Sequence, residues 1–285
     1  MALYDMYKNH FEAHIGLKQK LLTHSINDLS KLLDLEPEYI IYILLKFDET
    51  IDPIVESRIK EYYSKNHIND NRAIVITDTH IGAHTEDIKL VACAYNYAYQ
   101  NNINNIIHLG DLVQGNLDEH NIKIKEYDKQ IEKAKEIFDF TPGLNTHVLL
   151  GNHDYYLPND YYIYLKQLLD KLNNTKYLGR RYSYITLCDN DPIRLDHNIT
   201  CLCNELMPNI PVNLTLEGHH HQYAFEKYGI KNNIYLPQLS SIFALPGFFV
   251  LETTGNEFII KNIRIDTKYC IKENNELVLK KSIIH

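Results

Sequence analysis

The spacing of apolar residues predicts a helical segment at the start of the chain. Between residues 26 and 33, apolar side chains recur every three or four positions, which is typical of an amphipathic helix. Ser25 lies just before this stretch and Asp28 three positions after Ser25, the spacing of a helix N-cap. Pro37 suits the first turn of a second helix, and a third is predicted over residues 53–63. The first quarter of the chain is therefore predicted to be helical.

Further along the chain, short apolar runs alternate with stretches of helical period. Predicted strands and helices follow one another at 73–76, 87–100, 105–109, 126–138, 146–150 and 161–172. The later strands are predicted at 182–187, 193–196, 213–216, 224–228, 248–251 and 258–265. The first series indicates a mainly parallel sheet covered by helices, and the second a further, partly antiparallel sheet. We expect a helical module over residues 1–70 and an α/β domain over residues 71–285.

Composition and charge narrow the class of protein. Hydrophobic residues make up 45% and charged residues 23% of the 285, a globular balance that argues against a disordered or fibrous chain. The formal net charge of −8 does not attract nucleic acid over the whole surface, so a polyanionic substrate must be held locally. Five scattered cysteines do not form a disulfide framework, and no signal peptide or membrane span is evident. We expect a cytoplasmic protein without a membrane partner.

Residues able to bind metal follow five of the predicted strands, at the point where each strand ends. These clusters are Asp78-Thr79-His80, Gly110-Asp111, Gly151-Asn152-His153-Asp154, Asp196-His197 and Gly218-His219-His220-His221. In open α/β sheets, ligands bind outside the carboxyl ends of the strands, so folding can bring these clusters together. In an extended segment, Asp78 and His80 would face the same side. Mixed carboxylate, imidazole and amide ligands suit first-row transition metals rather than calcium.

The order and strand context of these clusters closely resemble those of the calcineurin-like metallophosphoesterase superfamily. The resemblance covers about residues 73–265 and implies a four-layer αββα sandwich with a dinuclear metal site at its edge. It implies that the first metal ion is bound by Asp78, His80, Asp111 and His221, and the second by Asp111, Asn152, His197 and His219. We expect two Mn²⁺ ions, with Fe, Zn or Ni as alternatives, that activate a water for in-line attack on a phosphate ester.

The resemblance also implies roles for two residues that would not bind metal. His153 would stabilise the developing negative charge and protonate the leaving oxygen, and Asp154 would orient His153. The phosphoprotein phosphatases of the superfamily extend the Gly-Asp cluster with an Asp and an Arg-Gly, whereas here Gly110-Asp111 continues as Leu-Val-Gln-Gly. The stretch Asp-Thr-His-Ile-Gly at residues 78–82 looks more like the phosphodiesterase and nuclease branch. We therefore expect hydrolysis of a phosphodiester in a nucleotide or nucleic acid.

Substrate contacts outside the metal clusters are predicted at Arg180 and Arg181, the adjacent arginine pair of the sequence. Arginine forks match phosphate oxygens well, and a solvated hairpin edge is the alternative interpretation. Tyr155 and Tyr156 follow the catalytic cluster directly, where aromatic rings either stack on a base or pack between helices. His197 lacks the glycine that often follows it in the family, and a surface histidine is the alternative there.

A DNA-binding role for the helical module fits its charge poorly. Residues 1–70 carry 12 Asp and Glu against 8 Lys and Arg, and the second predicted helix is acidic at its start and apolar in its body. A phosphate-lined groove would repel such a helix, so we expect a protein partner or a second copy of the chain. Two other functions remain open: a phosphomonoesterase, and a nucleic-acid-binding regulator with a secondary hydrolase core.

Overall fold

The computed structural model describes residues 2–280 apart from 36, 47–51, 139–142, 189–191, 198–211, 213, 229–230 and 241–245. The described chain forms two compact units, divided between residues 66 and 67. None of the described helices has the length and apolar character needed to cross a lipid bilayer.

The first unit contains four helices, which are α1 (Ala2–Leu21), α2 (Ile26–Leu33), α3 (Pro37–Lys46) and α4 (Pro53–Tyr63). Ser25 caps α2 as its spacing predicts, because its side chain accepts the Asp28 N–H and the Asp28 carboxylate accepts the Ser25 N–H. Apolar side chains of the four helices form a buried interior, which includes Leu21, Ile26, Leu29, Ile40, Leu44 and Val55. The predicted helical module at the start of the chain is confirmed.

The second unit is built from thirteen described strands and four described helices. The strands are β1 (His67–Ile68), β2 (Arg72–Ile76), β3 (Asn105–Leu109), β4 (Asn145–Leu150), β5 (Thr175–Arg180), β6 (Tyr182–Leu187), β7 (Ile193–Asp196), β8 (Leu214–Glu217), β9 (Ala224–Tyr228), β10 (Lys231–Tyr235), β11 (Gly247–Thr253), β12 (Glu257–Ile265) and β13 (Ile271–Lys280). The helices are α5 (Ile88–Gln100), α6 (Tyr127–Phe138), α7 (Asn152–Tyr155) and α8 (Asn159–Lys171).

The strands form two sheets. The larger has the order β13-β12-β11-β2-β3-β4-β5, in which β2 to β5 run parallel and β11 joins β2 antiparallel. The smaller has the order β1-β6-β7-β8-β10-β9, with β7 and β8 parallel. Parallel strands connected by helices are the arrangement that the alternating pattern after residue 73 predicts.

Alternating side chains of the larger sheet supply two separate cores. Ile74, Ile106 and Val148 face α5, α6 and α8, whereas Val75 and Ile107 pack against the apolar face of the smaller sheet. Successive side chains on a strand point to opposite faces, so a strand that is covered on both sides is buried along nearly its whole length, as β2 and β3 are. The predicted fold class, two packed sheets flanked by helices after a helical module, is confirmed.

The predicted elements differ from the observed ones mainly at sheet edges. The strands predicted at 105–109, 182–187, 193–196 and 224–228 have the observed bounds, whereas β1, β5, β10 and β13 were missed. β1, β5 and β13 are edge strands, and the last two have many polar or exposed positions, so their sequences lack an apolar run. β10 lies inside the smaller sheet, but it begins with three polar residues at 231–233. Asn213, where another strand was expected to begin, lies outside the described residues.

Candidate metal centre

The polar clusters meet because their strands end at the same edge of the second unit. β2, β3 and β4 run parallel and end at Ile76, Leu109 and Leu150, each directly before a cluster. In the smaller sheet, β7 and β8 run parallel and end at Asp196 and Glu217, before the two remaining clusters. The carboxyl ends of parallel strands are where open α/β folds bind their ligands.

Possible metal-binding atoms come together in three overlapping groups, within each of which they lie no more than 4.8 Å apart. The groups are Asp78, His80 and His221; Asp111, His197 and His219; and His80, Asp111 and His153. Asp111 Oδ2 lies 3.0 Å from His197 Nε2 and 3.9 Å from His80 Nε2, so this carboxylate stands between the first two groups. Asn152 Oδ1 lies 3.2 Å from His197 Nε2, which adds an amide oxygen to the second group.

Each central carboxylate has one oxygen that is hydrogen-bonded and one that is not. Asp78 Oδ2 accepts from Thr77 Oγ1 at 2.7 Å and from the His219 N–H at 3.0 Å, and Asp111 Oδ1 accepts from the His153 N–H at 2.8 Å. Asp78 Oδ1 and Asp111 Oδ2 are buried and accept no hydrogen bond of acceptable geometry among the described residues. Asp78 Oδ1 lies 3.1 Å from His221 Nε2, and Asp111 Oδ2 lies 3.0 Å from His197 Nε2. Because these buried oxygens face imidazole nitrogens that can themselves bind metal, the residues fit a divalent cation.

The imidazoles of His80, His197 and His153 are oriented in the same way. Nδ1 of each lies near an oxygen that can only accept: Gln114 Oε1 at 3.1 Å, Leu109 O at 2.5 Å and Gln114 O at 2.7 Å respectively. Nδ1 must therefore carry the proton, which leaves Nε2 to face the cluster. Metal-binding histidines are held in this manner by partners on the ring nitrogen that does not bind metal.

Five of the predicted metal ligands have a backbone conformation that L-residues rarely adopt. Positive φ angles occur at Asp78 (55°), His80 (46°), Asp111 (53°), His219 (75°) and His221 (59°). The expectation that Asp78 and His80 share one side of an extended segment is wrong, although both side chains reach the same group. Such strain costs on the order of 1–3 kcal/mol per residue and persists where the surrounding structure enforces it, as at binding sites.

Gly110 is required for the close approach of two of these segments. Its φ is 102°, and a Cβ at this position would lie 2.6 Å from His197 Nδ1 and 2.7 Å from the Gly151 backbone nitrogen. The expected tight turn before Asp111 is therefore present, and it also makes room for the His197 ring.

Opposite charges determine the ionisation of the two innermost groups. Burial opposes ionisation of Asp111, but His197 attracts its charge and brings the pKa of Asp111 to about 2. Burial likewise disfavours the charged form of His197, but Asp111 raises the pKa of His197 to about 10. A proton and a metal ion therefore compete for His197 Nε2.

The model of the calcineurin-like phosphoesterase family matches residues 72–241. The chain belongs to this family. No curated protein sequence matches the chain. Together, the family and the clustered ligands support a metal-dependent phosphoesterase that binds divalent metal ions.

Solved structures of similar fold include a dimetal phosphatase from Danio rerio. It is 9% identical, the match covers 75% of this chain and 100% of that one, and the TM-score is 0.51. An archaeal phosphodiesterase is 16% identical, with 73% and 99% covered and a TM-score of 0.42. Vps29 of Entamoeba histolytica complexed with Zn²⁺ is 15% identical, with 73% and 98% covered and a TM-score of 0.44. At these identities the likeness to the dimetal phosphatase shows the fold alone.

In this phosphoesterase, the Asp154 carboxylate is hydrogen-bonded to backbone N–H groups and not, as was expected, to the His153 imidazole. Its Oδ2 accepts from the N–H groups of Leu112 at 3.1 Å and Gly151 at 2.9 Å, and its Oδ1 from that of Val113 at 2.8 Å. The carboxylate thus ties the loop after β3 to the start of α7, while the Gln114 carbonyl oxygen takes the place expected for Asp154 beside His153. The predicted contact between Asp154 and His153 is therefore wrong. Helix geometry turns the side chain of Asp154 back onto its own N-terminal turn.

Gln114 was not singled out in the sequence, yet it contacts two of the histidines that the sequence predicts for the site. Its side-chain Nε2 donates to Leu117 O at 2.7 Å, which directs Oε1 to His80, and its main-chain oxygen contacts His153. The side chain is 1% exposed. The one signal in the sequence was a polar glutamine that directly follows the apolar pair Leu112 and Val113 in the loop after Asp111, since a polar side chain in such a place needs partners.

Arg180 and Arg181 lie at the end of β5 and directly after it, and both are exposed. Their guanidinium carbons lie 4.8 Å and 4.9 Å from the ring centroid of Tyr155. The structure therefore brings this arginine pair to the helix α7 that carries Asn152 and His153.

Proposed function

We propose that this protein is a phosphodiesterase that uses two divalent metal ions to hydrolyse a phosphodiester in a nucleotide or nucleic acid. The observation that carries the proposal is the position of Asp111 between two groups of metal-binding side chains. A shared carboxylate between two ligand groups is the arrangement that places two ions a few Å apart, where they can stabilise both the attacking and the leaving oxygen of an in-line displacement.

In this proposal, each ion has a mixed oxygen and nitrogen ligand set. Asp78, His80, Asp111 and His221 would hold the first ion, and Asp111, Asn152, His197 and His219 the second. Carboxylate, amide and imidazole ligands support Mn²⁺, with Fe, Zn or Ni as alternatives. When bound, the ions supply an activated water and Lewis-acid stabilisation of the phosphoryl oxygens.

His153 is the proposed proton donor to the leaving oxygen. The Gln114 carbonyl oxygen fixes its Nδ1 proton, so that Nε2 faces the cluster beside His80, whose ring centroid lies 4.6 Å away. Burial lowers the pKa of His153, whereas the negative charge of Asp111 raises it. A bound phosphate adds further negative charge and favours the imidazolium that can donate.

The loop after Asp111 supports a diester over a monoester. The chain continues as Leu112, Val113, Gln114 and Gly115, without the arginine that the phosphoprotein phosphatases of this family carry after the Gly-Asp cluster. A phosphomonoester carries up to two negative charges at neutral pH and a diester one, so the missing cation matters less for a diester.

The test is hydrolysis by purified protein with Mn²⁺ of bis(p-nitrophenyl) phosphate and of p-nitrophenyl phosphate. We expect the diester to be preferred in kcat/KM, and His153→Ala to lower kcat on the diester by about 10²- to 10⁴-fold. A preference for the monoester would move the assignment to phosphomonoesterase. Full activity of His153→Ala would remove the proposed role of this residue.

We also propose that residues 1–70 bind a protein partner or a second copy of the chain rather than nucleic acid. Exposed apolar side chains support this, among them Leu22 at 61% and Leu32 at 58% exposure. Salt-sensitive duplex DNA binding that depends on lysines of this module, measured in the full chain, would contradict the proposal.

A further inference from the structure

We propose that Arg180, Arg181 and Tyr155 form a second anion site, which binds a phosphate group of the substrate next to the one that is hydrolysed. The inference deepens the proposed phosphodiesterase function and rests on it. It names the substrate class as a nucleotide or nucleic acid with at least two phosphate groups.

The two guanidinium groups are held together without a counterion. Both lie over the Tyr155 ring, and neither arginine belongs to any of the ion pairs formed among the described residues. Each cation–π interaction contributes about 0.5–1 kcal/mol at an exposed site, whereas two like charges around one ring repel each other. An anion placed between them would remove the repulsion, and paired arginine forks match the oxygens of a phosphate.

Backbone hydrogen bonds place this pair beside the metal centre. The Arg181 N–H donates to the Leu150 carbonyl oxygen at 2.8 Å, and the Arg181 carbonyl oxygen accepts the His197 N–H at 2.6 Å. The main chain of Arg181 is thus hydrogen-bonded to that of His197, a proposed metal ligand. It is also hydrogen-bonded to the last residue of β4, the strand that leads into helix α7. Its φ of 65° is a conformation that a non-glycine residue rarely adopts. The strain fixes the direction in which the arginine leaves the strand.

Tyr155 connects the arginines to the reacting groups. It lies three positions after Asn152 in the one-turn helix α7, so both side chains project from the same face. Its neighbour Tyr156 packs at a tilt with the ring centroids 5.3 Å apart, and Tyr162 packs edge-on with centroids 6.1 Å apart. The ring is therefore a fixed platform for the guanidinium groups.

The same geometry argues against base stacking as the role of Tyr155. Its ring is already covered by Arg180 and Arg181, so a nucleobase would have to displace a guanidinium group. Tyr156 is 51% exposed and remains open to a base. The site accordingly recognises charge, and we assign it to a phosphate rather than to a base.

The test uses two chromogenic diesters that differ by one phosphate. Thymidine 5′-(p-nitrophenyl phosphate) carries the scissile phosphate alone, and its 3′-phosphate derivative adds a second one. We expect the 3′-phosphate to raise kcat/KM by about tenfold in the wild type, because it accepts charge-assisted hydrogen bonds from the arginine pair that the substrate without it cannot form. In Arg180→Gln/Arg181→Gln the ratio of the two kcat/KM values should fall to about one.

Arg264→Gln is the matched control, since it makes the same chemical change on β12, in the other half of the larger sheet. It should keep the wild-type ratio. A ratio above one that the double variant retains would overturn the inference. A ratio near one in the wild type would exclude a 3′-phosphate as the second group and make the diphosphate ester described next the deciding substrate. If neither diester is hydrolysed, the proposed phosphodiesterase function itself fails, which is a different result.

A third substrate separates two sources of the second phosphate. The p-nitrophenyl ester of thymidine 5′-diphosphate carries it in a pyrophosphate linkage rather than across the sugar. Stimulation by the 3′-phosphate that requires the arginine pair assigns the site to a nucleic-acid strand. Stimulation only in the diphosphate ester, lost in the double variant, assigns it to a nucleotide pyrophosphate. Stimulation in neither substrate overturns the proposal.

Discussion

The side-chain oxygen of Gln114 lies 3.1 Å from Nδ1 of His80 and thereby turns Nε2 of this histidine towards the candidate metal centre. We expect Gln114→Leu to lower Mn²⁺ affinity by about 10- to 100-fold, because the imidazole loses the partner that fixes its tautomer and orientation. Equilibrium dialysis with Mn²⁺ at constant pH measures the effect.

A partial recovery in Gln114→Glu would show that an oxygen acceptor at this position is what matters. Replacement of an exposed amide, Gln100→Leu, should leave Mn²⁺ affinity unchanged. Wild-type affinity in Gln114→Leu would mean that His80 is held by other contacts.

Asp111 stands between the two groups of candidate ligands, so its loss should affect both of the proposed metal ions. In Asp111→Asn, with an amide in place of the shared carboxylate, we expect less than one bound ion per chain by elemental analysis after removal of free metal. The exposed Asp118 makes Asp118→Asn a control that should retain the wild-type content. Two ions retained by Asp111→Asn would contradict a shared carboxylate.

Alanine substitutions at Gly110 and Gly143 distinguish destabilisation by backbone strain from destabilisation by steric conflict. Both have a positive φ, of 102° and 91°, but a Cβ at residue 110 would strike the His197 ring whereas a Cβ at residue 143 meets nothing within 4 Å. Gly143→Ala should lower the free energy of unfolding by about 1 kcal/mol, and Gly110→Ala by several times as much. Urea unfolding measures both values. Equal losses would mean that the loop around Gly110 yields easily.

His147 makes stability depend on pH in the acid range. Burial lowers its pKa to about 4, with Lys176 as a further cause, while the unfolded chain keeps a pKa near 6.5. Between these values the unfolded state binds more protons, so stability is full above about pH 6.5 and falls as the pH drops towards 4. If the whole difference between the two pKa values is expressed, protonation of His147 lowers the free energy of unfolding by about 3 kcal/mol.

The measurement compares urea unfolding at pH 7 and pH 4.5 in the wild type and in His147→Gln. We expect the glutamine variant to lose less stability on acidification, since glutamine does not titrate. His120→Gln, at an exposed position, is the control and should behave as the wild type does. An unchanged pH dependence in His147→Gln would show that this histidine is protonated without cost.

The sequence alone was informative about elements whose burial is uniform. β3, covered on both faces, reads as a run of five buried residues and was predicted with its observed bounds. β13 is an edge strand of polar composition and was not predicted, because its pairing with β12 depends on backbone hydrogen bonds rather than on an apolar pattern.

The sequence by itself determined which residues could bind metal and that they would follow strand ends, because ligand chemistry and strand order are both local properties of the chain. Only the tertiary structure decided how those residues are held. The left-handed backbone at Asp78 and His80, the Gln114 contact with His80 and the backbone partners of Asp154 all depend on segments that meet across the fold. Side-chain orientation at this site comes from hydrogen bonds between residues distant in sequence, and no spacing along the chain encodes them.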